Sequence, residues 1–237
     1  MEKVSQKKEE TIWKQGIKDW QDFLKAERIK GIPPEKKASY NRKLKQAQEA
    51  LIQENSAYFI PHLPKKERWR LYTLFKDECG FLDLEIDSFG KVILVGISDY
   101  YSTNTFVKGV NLEKSFLEKE LSKFKLLVTF NGASFDLPKL KKQLQVEINL
   151  PHIDLKPLCV NLGLSGGLKE IETALNLKRP PHLKGNPVEL WKAFHASGDR
   201  EYLELLLDYN KEDVENLKTI MEHVYSQLSK KLYKQLK

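Results

Sequence analysis

The stretch FLDLEID, residues 81–87, sets the fold class. In an extended strand Leu82, Leu84 and Ile86 point one way, and Asp83, Glu85 and Asp87 point the other with Phe81 beside them. Three carboxylates on one strand face repel one another, so either water or a bound cation must make the arrangement tolerable. Ser88-Phe89-Gly90 supply a turn, and KVILVGISDYY follows as a second strand suited to a hairpin, with FVKGV continuing the meander. LEKSFLEKELSKF is an amphipathic helix and KLLVTF a short apolar strand of the kind buried on both faces. The remainder is mostly helical: after Asn131, around LKPLCVNLG, at GLKEIETALNL, and in a final pair beyond the loop KRPPHLKGNP. Strands, a crossover helix, another strand and then helices predict an α/β domain over 79–228, a mixed β-sheet flanked by helices.

Residues 1–78 have helical spacing instead. Ile12/Trp13, Ile17, Trp20, Phe23/Leu24 and Ile29 recur at helical intervals, broken by Gly16 and Gly31. KKASYNRKLKQAQEALIQENSAYF predicts a longer charged helix, and KKERWRLYTLFKDE a short basic, aromatic one. Residues 229–237 form a lysine-rich tail. Residues 1–78 carry 18 Lys and Arg against 12 Asp and Glu, whereas 79–237 carry 22 against 21. A basic appendage beside a near-neutral body suits a polyanion partner, because Lys and Arg attract phosphates and release their counterions. A solvated lysine-rich face accounts for the charge equally well. Lys65, Lys66, Arg68 and Arg70 interleaved with Trp69 and Tyr72 resemble the mixture used to grip single strands, although helix-spaced aromatics such as Trp69 are more often core.

The chain is 41% hydrophobic with 11 Phe, 9 Tyr and 4 Trp, enough for a substantial core, and 31% charged. No apolar run approaches the roughly 20 residues of a membrane span. MEKVSQKKEE has no apolar segment of the secretory kind, and Cys79 and Cys159 form neither a disulfide framework nor a CxxC pair. These features predict a reduced, cytoplasmic protein.

Two further sites stand out. In VTFNGASFDLPKL, residues 128–140, an apolar strand ends at Asn131-Gly132 and a helix begins near Asp136. Asp favours helix N-termini for its own sake, yet strand ends in α/β sheets are also where ligands bind. In REYLELLLDYNKEDVENLKTIMEHVYSQL the apolar stripe Leu203, Leu206/Leu207, Val214, Leu217, Ile220/Met221, Val224 predicts apolar residues near 210 and 213, where Asn210 and Asp213 stand. Either Asp213 sits on the rim of the stripe through a slip of phase, or it is buried and needs a proton, a cation or a metal. Tyr209 lies one turn before it.

Asp83-Leu84-Glu85, Asn131-Gly132-Ala133-Ser134-Phe135-Asp136 and Tyr209-Asn210-Lys211-Glu212-Asp213, in that order over about 79–225, resemble the DEDD (DnaQ-like) exonuclease superfamily in its tyrosine-bearing subgroup. WKQGIKDWQDFL and RWRLY look like the YprB-like branch. The resemblance implies an RNase-H-like fold and a metal-dependent 3′-to-5′ exonuclease acting on DNA or RNA ends, with single-stranded DNA favoured. It implies two Mg²⁺ or Mn²⁺ ions held by Asp83, Glu85, Asp136 and Asp213. Asp83 would bridge them, Glu85 and Asp213 would hold the nucleophile-side ion, Asp136 would hold the other through water, and Tyr209 would orient the attacking water. Candidate substrate contacts are Asn131, Phe135, Asn210 and Arg179, the last in a loop with His182 and Lys184. The family usually follows its first acids with Thr or Gly; here Ile86-Asp87 follow, and if Asp87 faced the site it would add negative charge where a phosphate must come. An endonuclease on the same fold and a non-catalytic nucleic-acid-binding module are the rival readings. His152 and His195 have no assigned role.

Overall fold

The computed structural model describes residues 4–183 and 185–235. They fall into two compact units, one taking the chain through Pro64 and again from Ser226, the other Lys65–Tyr225.

The first unit holds α1 (Gln6–Trp13), α2 (Trp20–Lys25), α3 (Pro34–Ile52) and α4 (Phe59–His62). Gly16 and Gly31, both with left-handed φ (82° and 86°), are the breaks their sequence positions predict. Asp19 caps α2 by accepting the Asp22 N–H at 2.8 Å, and α3 opens on Pro34, where a missing N–H costs nothing. Ile12, Ile17, Phe23, Ile29, Ile32, Tyr40 and Leu44 close into a small core. The charged helix is shorter than its composition predicts: it stops at Ile52, Glu54 turns left-handed (φ 52°), and Ser56–Tyr58 is a 3₁₀ turn.

The second unit opens with a 3₁₀ helix, Lys65–Leu74, where an α-helix is expected. Trp69, Tyr72 and Phe75 are all buried at spacings of three, the 3₁₀ period, so burying that row selects the tighter coil. Five strands follow among the described residues: β1 (Cys79–Ile86), β2 (Val92–Ser98), β3 (Thr103–Val107), β4 (Leu126–Thr129) and β5 (His152–Asp154). Their order is β3-β2-β1-β4-β5, with the hairpin strands antiparallel and β1, β4 and β5 parallel. β5 is absent from the sequence-based expectation; three residues are too few to show an alternation, and pairing with Leu127–Thr129 is what makes them a strand. The helices of this unit are α5 (Lys114–Leu121), α6 (Asp136–Leu144), α7 (Leu155–Asn161), α8 (Leu168–Ala174), α9 (Pro187–Ser197) and α10 (Arg200–Gln235), whose end enters the first unit and takes in most of the lysine-rich 229–237 segment.

Alternation on β1 and β2 splits the sheet into two faces. Leu82, Leu84, Val95 and Ile97 pack with Leu117 and Leu121 of α5 and Leu140 of α6. On the other face Leu94 and Val107 meet Trp191 of α9 and Leu206 of α10. The result is a mixed sheet flanked by helices, and the acid-bearing face of β1 lies under α10. Cys79 and Cys159 are buried free thiols. Among the described residues no helix is long and apolar enough to cross a membrane.

Candidate active site

Asp83 and Glu85 stand two residues apart on β1 and therefore share a face. Directly opposite Asp83, β2 carries Gly96. A Cβ there would lie 2.0 Å from Oδ1 of Asn210, so the glycine is what lets α10 descend onto the strand pair. Asn210, wholly buried, donates from Nδ2 to Asp83 Oδ2 at 2.9 Å. Three residues on, and hence on the same helix face, Asp213 is buried as well. One carboxylate oxygen from each of Asp83, Glu85 and Asp213 lies within 4.8 Å of the others. Asp213 thus sits in the apolar stripe between Leu206 and Leu217, not on its rim.

Asp136 arrives from the other side of β1. After β4 the chain turns sharply, with Asn131 left-handed (φ 66°). Asp154 on β5 holds that turn by accepting the N–H groups of Asn131 (2.8 Å) and Ala133 (3.1 Å), and Thr129 Oγ1 accepts the Gly132 N–H at 3.1 Å. α6 then begins at Asp136, which is 2% exposed and whose Oδ1 is buried without a partner. Asp136 lies outside the 4.8 Å group, yet its charge reaches both Asp83 and Glu85.

Burial raises all four acids, and repulsion from neighbouring carboxylates adds to it: from within the cluster for Asp83 and Glu85, from Asp154 for Asp136 and from Glu172 for Asp213. Desolvation, then Asp213, Glu85 and Asp136, hold the Asp83 carboxyl well above the usual carboxylate range. Glu85 is pushed up to about 8 by burial and by Asp213 and Asp136. Asp136 rises to about 7 through burial, against the pull of the N–H groups of Asp136 itself and Leu84. Asp213 rises only to about 6, because Arg179 offsets its burial. Arg179 bridges two acids: Nε and Nη2 donate to Glu172 at 2.5 and 2.7 Å, and Nη2 also pairs with Asp213. The Tyr209 ring lies under this cation (5.3 Å from its centroid) and under Lys169 (4.9 Å), and burial keeps its phenol protonated.

The expected substrate contacts divide. Phe135 is 36% exposed at the mouth of α6. Asn131 spends its side chain on the turn, accepting from Ser134 Oγ at 3.0 Å. Asn210 Nδ2 donates to Asp83 and Arg179 pairs with Glu172 and Asp213, while Asn210 Oδ1 and Arg179 Nη1 are buried without a partner. His182 is exposed in its loop, and Lys184 lies outside the described residues. Asp87 faces away from the acids: its Oδ1 accepts the N–H groups of Phe89 and Lys91, both at 2.9 Å. Of the basic segment, Lys65 and Lys66 are exposed, whereas Arg68 and Trp69 are buried, Trp69 against Tyr225. His152 Nε2 bonds Thr129 Oγ1 at 2.8 Å, and His195 packs on Trp191. Glu172, Lys169 and Asp154 escaped sequence reasoning. Glu172 had a visible signal: in GLKEIETAL it stands four residues after Leu168 and three before Leu175, an acid on an apolar stripe, as Asp213 is.

Residues 80–225 match the RNase_H_2 family of the RNase_H superfamily. The chain belongs to that superfamily. No curated protein sequence matches it. Among solved structures, the RNase_H superfamily domain is similar to the family B DNA polymerase from the hyperthermophilic archaeon Pyrobaculum calidifontis, at 15% identity and a TM-score of 0.50. The match covers 62% of this chain but only 24% of the polymerase, so the likeness is one of fold. RNase_H superfamily chemistry calls for divalent ions, and the donor set of this domain fits them. Four carboxylates with neither thiolate nor imidazole among them are hard oxygen ligands, and the buried, unpartnered Asp136 Oδ1 has capacity to spare.

Proposed function

We propose that this RNase_H superfamily domain is a metal-dependent 3′-to-5′ exonuclease of the tyrosine-bearing DEDD type, nearest to the YprB-like branch, acting on DNA or RNA ends and preferring single-stranded DNA. The observation that carries the reading is the meeting of Asp83, Glu85 and Asp213 within 4.8 Å, with Asp136 in the same field and Tyr209 one turn before Asp213. Mutual repulsion of this size is a cost to the fold unless a cation relieves it. Asp83, Glu85, Asp136 and Asp213 would hold two Mg²⁺ or Mn²⁺ ions. When bound, such ions supply hydroxide at neutral pH and neutralise the oxygen that leaves.

The chain's own groups do the positioning. Asn210 fixes the rotamer of Asp83 through its amide, and Arg179, anchored on Glu172, does the same for Asp213. Tyr209, held protonated, keeps a hydroxyl to orient the attacking water; a phenol this reluctant to ionise does not act as the base. Phe135, exposed beside Asp136, would stack on a terminal base.

A 5′-labelled single-stranded DNA, incubated with Mg²⁺ or Mn²⁺, should give a ladder shortening from its 3′ end. EDTA and Asp83→Asn should each abolish it. Internal fragments would mean an endonuclease, and binding without cleavage by the wild type would reduce the domain to a binding module.

A further inference from the structure

We propose that the β1–β2 turn, with Phe89 at its tip and Lys139 of α6 beside it, is a stacking surface for the single-stranded nucleic acid that leads to the acid cluster. The proposal rests on the nuclease reading and adds a substrate track to it. Phe89 is 87% exposed, so it adds nothing to the core. Single exposed apolar residues are common and by themselves say little. This one differs in how firmly it is presented. Asp87 Oδ1 takes the N–H groups of Phe89 and Lys91, and the Gly90 N–H returns to the Asp87 carbonyl at 2.9 Å. From α6, Gln143 donates to the Gly90 carbonyl at 2.9 Å and accepts the Val92 N–H at 2.9 Å, while Lys139 Nζ reaches the same carbonyl at 3.2 Å. A turn clamped on both sides loses little entropy when a base settles on its ring.

Charge selects the occupant. Lys139 Nζ lies 4.8 Å from the Phe135 ring centroid and also reaches the Gly90 carbonyl, so it spans from that ring to the turn that carries Phe89. Lys91 is exposed beside Phe89, and Lys108, 3.8 Å from Asp87, is half-exposed. Rings for bases set among cations for phosphates make the chemistry of single-strand binding. Short spans of chain join the surface to the acids. The turn begins one residue beyond β1, two residues after Glu85, and Lys139 is one helical turn from Asp136.

The test is fluorescence anisotropy of a labelled single-stranded oligonucleotide with the full chain in EDTA, where the strand survives. Phe89→Ala should weaken binding about tenfold, within the range expected for one lost stacked base. Phe89→Trp should retain affinity, and its fluorescence should be quenched by the strand. Tyr101, 83% exposed at the opposite end of the β1–β2 pair, is the control: Tyr101→Ala should bind as the wild type does. Wild-type affinity in Phe89→Ala, or an equal loss in Tyr101→Ala, would overturn the surface and leave the nuclease reading standing. A wild type that binds no single strand in EDTA would also overturn the surface, while the nuclease reading stands or falls on the cleavage ladder with Mg²⁺ or Mn²⁺.

Discussion

Glu85→Gln should raise the melting temperature of the metal-free protein by about 3–10 °C at pH 8 while cutting cleavage by about 10²–10⁴-fold. Both effects have one cause. Glu85 is held at about 8 instead of the ordinary 4.5, first by burial and then by Asp213 and Asp136. A carboxyl whose folded value lies above its unfolded value contributes its stability below about pH 4.5 and loses it as the pH rises through about 8. At pH 8 the wild type therefore carries most of the penalty, a few kcal/mol, and 1 kcal/mol moves the melting temperature of a chain this size by about 2–4 °C. Glutamine keeps the shape without the charge, so its melting temperature should change less between pH 5 and 8. The fall in activity would follow if Glu85 helps to hold an ion, since a bound ion supplies several kcal/mol of charge stabilisation in the transition state. Thermal melts in EDTA at the two pH values, with Mg²⁺ added afterwards, check the stability half. A variant melting at or below the wild type at pH 8 would mean that Glu85 is under no repulsion.

Removing Arg179 should do the opposite. Its guanidinium joins Glu172, 2% exposed, to Asp213, 7% exposed, and gives Asn216 a shared partner in Glu172. Arg179→Met keeps the length and leaves two buried carboxylates without their cation, a loss of about 3–5 kcal/mol and so of roughly 6–20 °C. Arg179→Lys should recover only part, since an ammonium cannot reproduce the two-pronged contact with Glu172. Pairing Arg179→Met with Glu172→Gln should recover more, because one orphaned charge disappears with its partner. The deficit should shrink in acid, where the orphaned acids are protonated. If Arg179→Met instead melts with the wild type and loses only oligonucleotide affinity, the arginine is a phosphate contact and its acid partners are incidental.

Strand alternation in FLDLEID and the misplaced polarity of Asn210 and Asp213 were legible because each breaks or obeys a period within one element. The acids of β1 meet Asp213 because Gly96 leaves room for α10, and that glycine carried no mark in the sequence; its consequence appears only when β2 is laid against β1. Arg179 looked like a loop cation open to phosphate, since nothing local ties it to Glu172, seven residues back, or to Asp213, 34 ahead. Asp87 continued the acidic alternation on paper, but strand pairing shifts register between Glu85 and Ile86, and the turn that follows turns its carboxylate onto backbone N–H groups. Local periodicity locates charges along an element and says nothing of the partner that another element brings.

Whether Asp83, Glu85, Asp136 and Asp213 form a divalent-ion site is decided by calorimetric titration of the full chain with Mn²⁺ at pH 7, repeated in buffers of different ionisation enthalpy. Carboxyls poised at about 6, 7 and 8 hold part of their protons at that pH and must release them to bind a cation. The wild type should bind close to two ions with net proton release, and Asp83→Asn should lose most of that binding. No saturable heat with the wild type, or the same isotherm in Asp83→Asn, would contradict the account.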